Sequence, residues 1–214
     1  SCWPLTDTDL APNCRLSTAQ EDAPLAQLQQ LGQLLRGVGG YLEQTYAYLD
    51  HHSAVAYLAA CRQSPQAMTQ RLNWPVQQVA ARVAADCGSF PLTLVALGPG
   101  DGTLELRLVQ HLLIEQPRWP LDLILFDISL PLLNLAHRRA TDALAAEPYT
   151  SVSSLHGNFH RLPLYPPLLQ LVQRRERRRL YSAIGDTSAS IESELRFIRD
   201  SLHAVTLPGD LLLI

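Results

Sequence analysis

One stretch limits what this chain can fold into more than any other: Leu92 to Gly102, LTLVALGPGDG. Leu92, Leu94, Val95, Ala96 and Leu97 form a short apolar run between Pro91 and Gly98, the length of a buried strand. The run ends on three glycines separated by single residues, Gly98, Gly100 and Gly102, and a helical pattern starts at Thr103. Strand, glycine turn, helix is a layout that sets backbone N–H groups and a helix N-terminus beside a ligand. Glycine suits such a turn because it accepts positive φ and puts no Cβ between backbone and ligand. A dinucleotide fingerprint wants G-x-G-x-x-G, and its third glycine would fall on Thr103. That disfavours a nicotinamide-dependent oxidoreductase. Taken alone, the turn also fits a plain strand-to-helix connection of any α/β protein.

From residue 92 onward strands and helices alternate, which predicts an α/β, Rossmann-like parallel sheet with flanking helices. Strands are expected at Leu121 to Ile128, Ser151 to Leu155, Arg179 to Ile184 and Asp210 to Ile214. Helices are expected at Thr103 onward, Pro131 to Ala145, Pro166 to Arg174 and Ser190 to Val205, the last with Ile191, Leu195, Ile198, Leu202 and Val205 on one side. Three regions follow: an irregular arm at 1–24, rich in Pro, Thr, Asp and Asn; an N-terminal helical region at 25–90, a lid or substrate region; and the core at 91–214. In the helical region, helices are expected at Ser53 to Arg62 and at Val76 to Asp86, the latter closed by Gly88. Its tyrosines (Tyr41, Tyr46, Tyr48 and Tyr57) and Trp74 read as core or lid packing.

Composition excludes several classes. Of 214 residues 47% are hydrophobic, enough for a substantial core, and the formal net charge of −3 gives no reason to expect nucleic acid. All 17 basic residues are arginine. A faint helix-turn-helix pattern at Met68 to Cys87 holds only Arg71 and Arg82, too few for a phosphate-binding face. Cys2, Cys14, Cys61 and Cys87 are widely spaced and read as reduced thiols, with no metal site. No apolar run approaches the ~20 residues of a membrane span, and no signal peptide is visible, so the expected location is cytoplasmic. A start without Met and an end on a strand suggest a piece of a longer protein, with a homodimer or a further segment completing it. The run Arg174 to Arg179 reads as a solvated helix end, its alternative being an anionic contact.

In an open parallel sheet ligands sit beyond the C-terminal ends of the strands. After the first strand comes the glycine turn. At the end of the second stands Asp127, whose two oxygens can accept from a ribose diol; its plainer role is near a helix N-cap, for which Ser129 is as well placed. After the third come Gly157, Asn158 and Phe159, an amide able to pair with an adenine edge beside a ring able to cover its face. His156 and His160 flank that loop. After the fourth come Gly185, Asp186 and Thr187, polar residues for the floor of a cleft.

With these residues in place, 92–214 resembles the core of class I S-adenosylmethionine-dependent methyltransferases. The resemblance rests on Gly98-Pro99-Gly100-Asp101-Gly102, the acid Asp127, the Gly157-Asn158-Phe159 segment, and the ending LPGDLLLI at Leu207 to Ile214. It implies S-adenosyl-L-methionine as cofactor. Gly98, Pro99, Gly100 and Asp101 would lie at its methionine part, Asp127 at the ribose, and Ile128, Asn158 and Phe159 at the adenine. Gly185 would face the cofactor, with Asp186 and Thr187 at the acceptor and Asp186 the catalytic candidate. Two positions depart from the family pattern, Ala96 for the usual acid before the glycines and Asn158 for the usual Asp, and the family's elements beyond strand five are missing. RLYSAIGDTSASI followed by PGDLLLI is also loosely similar to histidine-specific N-methyltransferases. The expected function is methyl transfer to a small-molecule or amino-acid-like acceptor. Its alternative is a non-catalytic methyltransferase-like binding or assembly module of a larger protein.

Overall fold

The computed structural model describes residues 14–16, 36–37, 50–63, 75–172, 176–184 and 194–214. The elements are β1 (Cys14–Leu16), α1 (His51–Gln63), α2 (Val76–Cys87), β2 (Leu92–Leu97), α3 (Thr103–Glu115), β3 (Leu121–Asp127), α4 (Leu130–Ala143), β4 (Thr150–His156), a 3-10 segment (Phe159–Leu164), α5 (Pro166–Val172), β5 (Arg178–Ser182), α6 (Glu194–Arg196) running into a π-helix (Phe197–Leu202), and β6 (Leu211–Leu213). The strands form one sheet in the order β1-β4-β3-β2-β5-β6, every pair parallel. The expected α/β architecture is therefore present. From β2 the chain winds through β3 to β4 on one side and passes to β5 and β6 on the other. The β2–β5 border is thus the topological switch point, where ligands of such sheets bind.

Central strands read as continuous apolar runs because both their faces are covered. All six residues of β2 are buried. One face carries Leu94, Ala96, Leu123, Leu125 and Leu180 against Ala80 and Val83 of α2, Leu108 and Leu112 of α3, and Leu133 and Ala136 of α4. The other carries Val95, Leu97, Ile124, Phe126 and Tyr181 against Phe159, Leu162, Leu168, Phe197 and Leu202.

Three expectations are corrected. The arm at 1–24 contains strand β1, which pairs in parallel with β4 and extends the sheet edge; three residues are too short to show a strand period. The helix expected at Ser190 to Val205 is described only from Glu194, and it winds as a π-helix over Phe197–Leu202. A π turn bonds i to i+5, as His203 N–H does to the Ile198 carbonyl at 2.8 Å. That winding puts Phe197 and Leu202 on the buried side and leaves Leu195 and Ile198 exposed. The arginine run is not simply a solvated end: Arg177, Arg178 and Arg179 are tied into the sheet's N-terminal edge. Arg177 pairs with Asp122 at 3.1 Å. Arg178 lies over the Phe90 ring, 5.3 Å from its centroid. Arg179 donates to Asp210 at 2.7 Å, both side chains being almost fully buried. Of the helical region expected at 25–90, residues 25–35, 38–49 and 64–74 lie outside the described residues.

Candidate functional site

The turn after β2 is built by its glycines. Gly98, Gly100 and Gly102 have φ of 62, 57 and 75°, the left-handed region that side chains avoid. Gly102 has a second reason to be glycine. A Cβ there would lie 2.8 Å from the Ala136 Cβ, so its absence lets the start of α3 press onto α4.

Four of the backbone donors at the turn are already used. Gly98 N–H bonds the Phe126 carbonyl at 2.8 Å and Gly102 N–H the Pro99 carbonyl at 2.9 Å. Gly100 N–H bonds Asp127 Oδ2 at 3.2 Å and Thr103 N–H bonds Asp101 Oδ1 at 3.1 Å. Asp127 thus ties β3 to the turn, and its Oδ1 accepts from Ser129 N–H at 2.8 Å, at the entry to α4. Asp127 thus fills the plainer role expected of it, at the helix entry, and stands at the end of its strand against the glycines. Asp101 serves α3, whose first turn it caps, and pairs with Arg139 of α4 at 2.5 Å.

A third carboxyl, not singled out in the sequence, completes the group. Glu105 is 1% exposed, and its Oε2 has no hydrogen-bond partner. Its signal was legible as periodicity: positions 105, 108, 109 and 112 form the buried stripe of α3, and an acid occupies the first of them. Burial pushes its pKa up to about 8, with the charges of Asp101 and Asp127 adding to the rise against a bond from its own backbone. Burial likewise pushes Asp127 up to about 6, against the N–H donors of Ser129, Gly100 and Ile128. Two buried carboxyls, Glu105 and Asp127, therefore lie close enough to act on each other, and Asp101 acts on Glu105 as well.

The N-terminal region reaches the turn through α1. Its start is capped by Asp50, which accepts from Ser53 N–H at 2.9 Å. One side of the helix buries Ala54, and Tyr57 comes over the turn: a Cβ on Gly100 would lie 3.7 Å from the Tyr57 hydroxyl.

The third loop is held tightly. The Ile128 carbonyl receives His156 Nε2 at 2.7 Å. Asn158 Oδ1 accepts from His160 N–H at 2.9 Å and so caps the 3-10 segment, while its backbone N–H bonds the Tyr165 hydroxyl at 2.7 Å. A Cβ on Gly157 would collide with the Tyr165 ring and lie 2.8 Å from Phe126. Phe159, expected as a cover for an adenine face, is instead packed edge-on to Phe197 with 5.7 Å between ring centroids. Its ring belongs to the core because the 3-10 turn rotates it inward with Leu162. The structure therefore brings Gly98, Pro99, Gly100, Asp101 and Asp127 together, with Ile128 and Asn158 on the neighbouring strand ends. Gly185, Asp186 and Thr187 lie outside the described residues. Among the described residues no group of three or more His, Cys, Asp or Glu could hold a metal ion, and no helix is long and apolar enough to cross a membrane.

No family model and no curated protein sequence matches this chain. Among solved structures it is similar to magnesium protoporphyrin IX methyltransferase from Synechocystis PCC 6803. Against the form with bound S-adenosylhomocysteine the identity is 14% over 77% of this chain and 59% of that one, with a TM-score of 0.37. Against the form with bound S-adenosylmethionine it is 15% over 86% and 74%, with a TM-score of 0.38. The chain thus spans about three-fifths of the length of the first of these.

Proposed function

We propose that this chain transfers a methyl group from S-adenosylmethionine to a nucleophile on a small-molecule or amino-acid-like acceptor. The supporting observation is the character of the glycine turn. A pyrophosphate needs free N–H donors and positive charge. Four of the N–H groups here, those of Gly98, Gly100, Gly102 and Thr103, are already bonded within the chain, and Asp101, Glu105 and Asp127 stand close by. A nucleoside ligand that carries positive charge and no phosphate suits it. The same feature argues against a nicotinamide dinucleotide.

When bound, the cofactor supplies an activated methyl group on a sulfonium; the chain's share is placement, since aligning acceptor and methyl removes much of the barrier. Asp127, anchored at both oxygens by backbone N–H groups, keeps further lone pairs for a ribose diol and is mostly ionised above about pH 6. Gly98, Pro99 and Gly100 leave room for the methionine part, and Tyr57 covers it. Ile128 and Asn158 border the adenine. Asp186, with Thr187 beside it, orients the acceptor and takes its proton where the acceptor is protonated at working pH. Gly185 is assigned to the cofactor by the family resemblance alone. The likeness of this segment to histidine-specific enzymes makes an amino-acid-like acceptor the first class to try.

The test is formation of S-adenosylhomocysteine from S-adenosylmethionine over a panel of amino acids and small amines, followed by mass spectrometry. Turnover with one acceptor class, lost in Asp186→Asn, supports the assignment. Cofactor binding with no turnover across the panel would move the function to a non-catalytic binding module, and binding of NAD in preference to S-adenosylmethionine would overturn it.

A further inference from the structure

Glu105 has no task in the account so far, and its situation is unusual. It is 1% exposed, one oxygen lacks any partner, and both charged groups acting on it, Asp101 and Asp127, are negative. A buried charge ordinarily has a counter-ion, because desolvating it alone is costly. No cation is among the charged groups that act on Glu105. On α4, Arg139 is committed to Asp101, and the ring of His137, buried, is bonded to Ser154 Oγ at 2.7 Å. On the turn and β3, Asp101 and Asp127 repel it. The strand face under this end of α3 is neutral: Ala96, and in register with it Ser182, whose Oγ is likewise buried without a partner.

We propose that Glu105 is the counter-charge of the site: its carboxylate, buried in the first turn of α3 directly after the glycines, makes the turn select a ligand that carries positive charge. This rests on the cofactor reading above and adds to it a residue of α3 and a basis for selectivity. With no cation close by, Glu105 itself is best kept neutral by a proton. A cation seated on the turn replaces that proton in electrostatic terms, so binding of the cation and ionisation of Glu105 favour each other.

S-adenosylmethionine and S-adenosylhomocysteine share their amino, carboxylate and nucleoside groups and differ by one methyl group and the sulfonium charge it confers. The methyl contacts are the same at every pH, so the change with pH in the ratio of their dissociation constants reports on that charge. Calorimetric titration of both ligands into the intact chain, from pH 6.5 to 9, is expected to show the preference for the sulfonium rising about tenfold as Glu105 ionises. Glu105→Gln is expected to lose most of that preference and to flatten its pH dependence, with binding of the uncharged thioether retained. A flat ratio in the wild type would overturn the proposal while leaving the cofactor reading intact, and so would an unchanged ratio in a folded Glu105→Gln chain. Binding of neither ligand to the wild type would overturn both. If the variant does not fold, the wild-type pH series decides alone.

Discussion

At the N-terminal edge of the sheet Arg177, Arg178 and Arg179 meet Asp122, the Phe90 ring and Asp210. At the C-terminal edge Asp101, Glu105 and Asp127 crowd one glycine turn, with Arg139 the partner of Asp101. The two ends hold charges of opposite sign and treat them in opposite ways. At the arginine end each cation is matched, most tightly in the buried Arg179–Asp210 pair, which also receives Leu207 N–H on Asp210 at 2.8 Å and donates to the Val172 carbonyl. At the carboxylate end one acid has an oxygen without a partner and two have raised pKa values. Complete pairing fixes a fold; charge left uncompensated in the interior lowers stability and is retained where a ligand can use it.

The contrast can be broken first at Arg179. Arg179→Ala leaves Asp210 buried and uncompensated and is expected to cost about 3–5 kcal/mol of stability, measured by urea denaturation, with no specific effect on ligand preference where the chain remains folded. A cost below about 1 kcal/mol would mean that this end does not lock the sheet. Glu105→Gln should act the other way. Glu105 has its pKa raised from 4.5 in the unfolded chain to about 8 in the fold, so folding takes up a proton between those values. Its stabilising share is complete below pH 4.5 and lost as pH rises to about 8. The variant is therefore expected to exceed the wild type by ~2–4 kcal/mol at pH 8.5 and to converge with it near pH 4.5. Equal stability at both pH values would remove the contrast. A smaller effect is expected at the cover: Tyr57→Ala should weaken the ligand by about fivefold to tenfold, roughly 1–1.4 kcal/mol, while shifting the melting temperature little. The least effect belongs to Arg82→Ala, since the Arg82–Asp86 pair on α2 is exposed and worth no more than about 0.5 kcal/mol.

The fold was legible where apolar runs were long and fully covered, as in LTLVAL and LDLILFD, and where glycine punctuated them. It was less so where the helix period itself changed, as at Phe197–Leu202, or where a strand was three residues long, as at Cys14–Leu16. The glycine turn and Asp127 were legible because backbone chemistry demands those residue types there. Phe159 misled because an aromatic beside a loop looks alike whether it covers a ligand or fills the core. Glu105 was visible only as an acid in an apolar stripe, and its importance comes from Asp101 and Asp127, which the fold brings to it from the preceding turn and from β3. Arg177 to Arg179 looked like a solvated run because their partners, Asp122 and Asp210, lie more than thirty residues away in sequence on either side.

The central claim is that the carboxylate end, through Asp127, holds S-adenosylmethionine. Calorimetric titration of that ligand into the wild type and into Asp127→Ala, both shown to be folded by circular dichroism, tests it most directly. Micromolar binding by the wild type, near −8 kcal/mol, that falls at least thirtyfold in the variant is the expected result. No heat from the folded wild type, or equal binding by both chains, would contradict it.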